Sequence, residues 1–120
     1  MTRIFLRLDF GDERQIGPGK IRLLELVRDT GSISAAGRAL DMSYRRAWLL
    51  IDDLNASFRE PVLTTTLGGK GGGGAVLSPF GLELIARYRE MERMAAQALA
   101  EHLAPLEAEL APAEPASEAS

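Results

Sequence analysis

Between Gly68 and Gly74 every residue except Lys70 is glycine. A stretch almost without side chains has no apolar face to bury, and its backbone reaches conformations closed to other residues. It must therefore connect elements. Residues 62 to 67 before it have strand propensity, with three consecutive threonines, and Ala75, Val76 and Leu77 after it make a short return strand. The expectation is a two-stranded hairpin whose flexible tip is Gly68, Gly69, Lys70, Gly71, Gly72, Gly73 and Gly74.

The hairpin divides two helical regions. Ile4, Leu6, Leu8 and Phe10 alternate with Arg3, Phe5, Arg7 and Asp9, the period of a half-buried strand. Residues 11 to 19, with Gly17-Pro18-Gly19, read as a loop. Ile21, Leu24 and Val27 then recur at helical spacing, and Gly31 is a C-terminal stop. Ser32 caps a short second helix to about Leu40, buried through Ile33, Ala36 and Leu40. Its Ala35-Ala36-Gly37 run lets another helix approach closely. Asp41 and Met42 form a turn, and Ser43 caps a third helix with Ala47, Ile51, Leu54 and Phe58 on its apolar face. Tyr44, Arg45, Trp48 and Asp52 lie on the other face. Pro61 ends that region.

Ser78 and Pro79 open a fourth helix, serine at the cap and proline at the first helical position. Leu84, Tyr88, Met91, Ala95, Ala98, His102 and Leu106 follow steps of three and four, close to a heptad seam. Pro105 is expected to kink or end this helix. Residues 112 to 120, rich in Pro, Ala, Glu and Ser, read as disordered. The expected organisation is one domain over residues 1–104, then a kinked helix end and an acidic tail over 105–120. The fold class is mainly α with a small β component: a winged helix-turn-helix with an N-terminal strand and a long C-terminal dimerisation helix.

Composition narrows the function classes. There is no cysteine, and the single His102 cannot assemble a zinc site. No apolar run approaches the roughly 20 residues that span a bilayer, and the N-terminus does not look like a secretory signal. The reading is a cytoplasmic protein with no membrane partner and no cofactor. The net charge of −3 comes from the tail. Residues 1–100 hold all 14 Lys and Arg against 12 acids, and residues 101–120 hold five acids and no Lys or Arg. The remainder is mildly basic, which permits nucleic-acid binding. Catalysis has little support. Asp52 and Asp53 are adjacent on a helix and point about 100° apart, and Ser43 and Ser78 read as caps. Gly69, Gly71 and Gly74 fit a dinucleotide-binding spacing but lead into a strand instead of a helix, and Lys70 is not followed by the Ser or Thr of a phosphate loop. The chain reads as a non-enzyme.

Residues 31 to 81 resemble the N-terminal DNA-binding domain of the molybdate-responsive ModE regulators, itself similar to the LysR-type winged helix. The resemblance rests on Gly31-Ser32-Ile33-Ser34, on Ser43-Tyr44-Arg45-Arg46-Ala47-Trp48, and on the glycine-rich string with Ser78 and Gly81 after it. It implies a sequence-specific, double-stranded DNA-binding transcriptional regulator that acts as a homodimer on an inverted repeat. Ser43, Tyr44, Arg45, Arg46, Trp48 and Lys70 are the candidate DNA contacts, with the glycines as the wing. Leu84, Tyr88, Met91, Ala95, Leu99 and His102 are the candidate dimerisation residues. Full-length members continue into small β-barrel domains that bind molybdate, and this chain stops at Ser120, so molybdate is not expected to bind it. The alternative is a non-DNA interaction module that pairs with a full-length relative and modulates it.

Overall fold

Each helix starts where a small or hydroxylated residue releases the chain into a first turn. In a computed structural model that describes residues 2–69 and 72–113, β1 (Leu8–Asp9) and β2 (Gln15–Ile16) precede α1 (Pro18–Thr30), α2 (Ile33–Ala39) and α3 (Tyr44–Ser57). The strands β3 (Leu63–Gly69) and β4 (Gly72–Leu77) follow, and α4 (Pro79–Ala108) closes the order. The protein is mainly helical, with two small antiparallel sheets. Ser32, Ser43 and Ser78 each accept a backbone N–H from three residues ahead, at 3.0, 3.0 and 2.9 Å, filling one of the orphan donors of each helix start. Gly31 ends α1 in the left-handed region at φ 71°, with its N–H on the Val27 carbonyl.

The first helix packs on α2, and α2 packs on α3, around Leu24, Val27, Ala36, Ala47, Ile51 and Leu54, all fully buried. Small residues permit the α2–α3 crossing: a Cβ on Gly37 would lie 3.2 Å from the Ala47 Cβ. The hairpin joins this helical body through Val62, Leu63, Ala75 and Leu77. Its Ala75 N–H donates to the Gly31 carbonyl at 2.9 Å, and the Val62 N–H to the Asn55 side chain at 2.7 Å. Leu84, Ile85 and Tyr88 of α4 close the core, and the Tyr88 hydroxyl donates to the Leu6 carbonyl.

Four expectations are corrected. The N-terminal strand is short: Ile4, Leu6 and Leu8 do turn inward, but only Leu8–Asp9 enters a ladder, opposite Gln15–Ile16. That second strand falls where a loop was expected. The turn between them places Gly11, Asp12 and Glu13 all at positive φ, and charged residues there leave little trace in a sequence. Phe10 is half exposed and meets Phe58 edge-on at 6.1 Å. The hairpin strands also run into the glycines as far as Gly69 and Gly72, because a ladder needs only backbone groups. Lys70 and Gly71 lie outside the described residues, as do residues 114–120 of the expected tail.

Finally, α4 does not end at Pro105 but continues to Ala108. The proline lies in the last turn among exposed residues, where the carbonyl it leaves unbonded can turn to water.

Candidate functional site

The third helix buries Ala47, Ile51 and Leu54, so a rotation of 100° per residue places Arg45, Leu49 and Asp52 on its outermost stripe. Arg45 and Asp52 are exposed, and Leu49 is 47% exposed. One flank of the stripe carries Tyr44 and Trp48, whose rings meet edge-on at 6.1 Å. Tyr44 is exposed and Trp48 half-buried. The opposite flank carries Arg46 and Leu50.

A cleft borders each flank. The cleft on the hairpin side has a volume of about 200 Å3 and is lined by Tyr44 and Trp48, by Ser32 and Ser34 at the start of α2, and by Thr65 and Thr66 of β3. It is rich in hydroxyls. The Ser34 Oγ accepts from Arg38 at 2.8 Å, and the Thr66 Oγ1 accepts the Gly74 N–H at 2.9 Å. A Cβ on Gly74 would lie 3.3 Å from that Oγ1 and 3.4 Å from the Gly31 carbonyl, so this glycine sets how closely the hairpin approaches the helices. The cleft on the other flank, about 400 Å3, lies between α3, the N-terminal hairpin and the start of α1, and its charged lining is Arg7, Lys20 and Arg46.

Charge is sorted across the molecule. Arg14, Arg22, Arg28, Arg87, Arg89 and Arg93 each sit against a carboxylate. Arg89 is the most engaged, donating to Glu25 at 2.7 and 2.9 Å and to Glu92 at 2.7 Å, which ties α4 to α1. Its hydrogen bonds to Glu25 and Glu92 raise its pKa, and its hydrogen bond to Glu25 lowers the pKa of that carboxyl. Burial, reinforced by Glu92, raises the Tyr88 hydroxyl. Among the described residues Arg7, Lys20, Arg38, Arg45 and Arg46 have no carboxylate partner. Arg7 and Lys20 donate to the side-chain oxygen and backbone carbonyl of Gln15, neutral acceptors that leave both charges unmatched. Arg3, stacked over Phe5, and Arg59, beyond the end of α3, are also unmatched.

The structure thus gathers Tyr44, Arg45, Arg46 and Trp48 on one end of α3 but assigns them different directions. Ser43 is committed to the cap, accepting the Arg46 N–H. Lys70 and Gly71 lie outside the described residues, while Gly68, Gly69, Gly72 and Gly73 are in the strands. Leu84 and Tyr88, expected in a dimer seam, are buried in the protein's own core and leave a second copy nothing to cover. Met91 and Ala95 are half-buried, and Ala98, Leu99, His102 and Leu106 are exposed. Sequence reasoning missed Leu49, Arg7, Lys20, Arg38 and the threonines. Only Leu49 carried a signal, standing one helical turn after Arg45.

Among the described residues no group of three His, Asp or Glu side chains could hold a metal. No helix is long and apolar enough to cross a membrane.

No protein-family model matches the chain. It is similar to the molybdenum-pterin-binding protein MopB of Rhodobacter capsulatus, 44% identical over 85 residues, which is 71% of this chain and 32% of that protein. The molybdenum transport protein ModE of Azotobacter vinelandii is 36% identical over 92 residues, 77% of this chain and 33% of the relative. The DNA-binding transcriptional dual regulator ModE of Escherichia coli (strain K12) is 36% identical over 87 residues, 72% and 33%. The chain spans about a third of the length of these relatives. Their names are those of regulators and of molybdenum-binding and transport proteins, not of enzymes.

Proposed function

We propose that the chain is a ModE-like transcriptional regulator that binds double-stranded DNA through a winged helix-turn-helix made of α2, α3 and the β3–β4 hairpin. The observation that carries this reading is that Arg45 stands exposed on the outer stripe of α3 beside a cleft lined by Arg7, Lys20 and Arg46 and by no carboxylate, while described arginines of α1 and α4 are neutralised by carboxylates. Unmatched charge on one face is the electrostatic footprint of a polyanionic partner. The relative named as a DNA-binding regulator supports it.

On this reading the exposed stripe of α3 enters the major groove. Arg45 bonds a guanine edge, and Leu49 meets a thymine methyl, the apolar feature of that groove. The wing lies over the adjacent backbone. Two copies bind an inverted repeat, joined through the part of α4 beyond Tyr88, where Met94, Leu99 and Leu106 are exposed. Molybdate is not the ligand of these residues. An oxyanion is held by several donors converging in a sheltered pocket, and the cations of α3 are exposed.

Binding of the purified chain to fluorescent duplexes across a salt series tests the reading. The expected result is an affinity that falls linearly with salt on a double-logarithmic plot and favours duplexes selected from a random pool. Absence of duplex binding at low salt, or salt-independent binding, would overturn it.

A further inference from the structure

A helix inserted in a major groove has a phosphate strand on each side. The groove is about 12 Å wide and a helix with side chains about 10–12 Å across, so both strands run close along the helix flanks. The hairpin serves only one flank of α3. The other opens on the cleft formed by Arg7 before β1, Lys20 in the first turn of α1 and Arg46 of α3. No acidic side chain lines it. Two of the three charges are held by a single neutral residue: Arg7 donates to the Gln15 side chain and Lys20 to the Gln15 carbonyl at 2.9 Å. Gln15 itself is positioned by its antiparallel pairing with Asp9. Three cations kept together without a counter-charge repel one another, and the fold offers them no described carboxylate in return.

We propose that this cleft seats the second phosphodiester strand, so that DNA is gripped on both flanks of α3: by the hairpin on one side and by Arg7, Lys20 and Arg46 on the other. The inference rests on the DNA-binding reading and adds to it a surface outside the helix-turn-helix. It gives the short N-terminal hairpin a purpose, since β1 and β2 hold Arg7 and Lys20 beside Arg46, which is distant from both in sequence. It also separates the two adjacent arginines: Arg45 faces the bases and Arg46 the backbone. A phosphodiester strand suits an open cleft whose three cations come from separate segments of the chain, Arg7 before β1, Lys20 on α1 and Arg46 on α3.

The test measures the salt dependence of duplex binding for the full chain and for Arg7→Gln, Lys20→Gln and the double variant, with Arg87→Gln as a control whose charge is matched by Glu83. Each lost phosphate contact lowers the logarithmic slope by about 0.9. The double variant should lose about 1.8, making its affinity drop between 50 and 200 mM salt about 12-fold smaller than that of the parent. Every duplex should be weakened alike, and hydroxyl-radical footprints should lose backbone protection on one side of the major groove only. Arg7→Gln and Lys20→Gln each lose a bond to Gln15, so each is compared with the parent by melting temperature, and either one that melts as the parent does must still lose about 0.9. Slopes equal to those of the parent and of Arg87→Gln would overturn the second grip and leave the DNA-binding reading intact. A loss confined to one sequence would also overturn it, as would stoichiometric binding of inorganic phosphate that Arg46→Gln abolishes. A parent protein that fails to bind duplexes at all would remove the DNA-binding reading and this inference together.

Discussion

Replacing Gly81 by alanine would test how the hairpin, the core and the long helix are held together. A Cβ on Gly81 would lie 2.1 Å from the Val62 carbonyl oxygen and 3.0 Å from its carbon. Both belong to backbone, which cannot swing aside as a side chain does. An ordinary carbon–oxygen contact needs about 1.3 Å more, so the first turn of α4 must lift away from the start of β3. That movement strains three connections at once. The Ser78 N–H donates to the same Val62 carbonyl at 2.9 Å, the Ser78 hydroxyl to the Pro61 carbonyl at 2.6 Å, and the Gly81 N–H to the Ser78 Oγ at 2.9 Å.

Overpacking a well-filled site costs about 1–3 kcal/mol, and losing a serine cap adds about 1 kcal/mol. The gain in helix propensity from Gly to Ala returns at most about 1 kcal/mol. The net expectation is a destabilisation of about 1–3 kcal/mol, or about 5–15 °C in melting temperature for a domain of this size. Gly37→Ala is the internal comparison. Its Cβ would meet the Ala47 Cβ at 3.2 Å and the Met42 Cγ at 3.6 Å, contacts that a shift of a few tenths of an ångström relieves. That change should stay within about 1 kcal/mol of the parent, as crowding and helix propensity offset each other. Thermal unfolding followed by circular dichroism measures all three proteins. If Gly81→Ala melts within about 2 °C of the parent, the close approach of α4 to β3 is not what holds the hairpin in place.

Arg45→Ala should weaken binding to a selected duplex by about 1–3 kcal/mol and that to scrambled DNA far less; an unchanged ratio between the two affinities would remove Arg45 from base reading. Substituting uracil for thymine at the contacted position should weaken the parent severalfold and Leu49→Ala not at all, and equal losses for both would place Leu49 away from the groove. Glu25→Gln should flatten the acid limb of the stability curve. The folded-state pKa of Glu25 lies below the ordinary 4.5, so its contribution is complete above that value and is lost as pH falls through the folded pKa. An unchanged acid limb in urea titrations below pH 5 would show that the tie to Arg89 is energetically silent. Leu99→Asp with Leu106→Asp should turn a dimer into a monomer in sedimentation, and a dimer that survives both would exclude the far half of α4 as the interface. Titration calorimetry with molybdate should give no stoichiometric heat, and binding at micromolar affinity would contradict that expectation.

The elements that announced themselves in the sequence did so through local chemistry. Ser32, Ser43 and Ser78 cap the helices they were expected to cap, and Gly31 stops α1, because each acts on backbone groups within a few residues of itself. The buried stripe Ala47, Ile51 and Leu54 was legible because its spacing matches the helical period. The β1–β2 hairpin was not, since a two-residue ladder is too short for periodicity and its turn residues include Asp12 and Glu13 at positive φ. Nor could spacing tell a seam that faces a partner from one that faces inward. Leu84 and Tyr88 satisfy either reading, and only the packing of α4 against the core places them inside.

The candidate site divides along the same line. Tyr44, Arg45, Arg46 and Trp48 follow a helix cap and could be found as a group, because a helix start followed by cations is visible in one dimension. Their division between exposed stripe, hydroxyl-rich cleft and cationic cleft depends on which flank each neighbouring element covers. Arg7 comes beside Arg46 through two pairings, Asp9 with Gln15 and the bond from Lys20 to the Gln15 carbonyl, neither of which has a sequence signature. Two observations together, an unmatched charge and a place on the lining of the cleft beside α3, set Arg7 and Lys20 apart from Arg22 and Arg28, which lie nearby in sequence but are matched by Glu25 and Asp29.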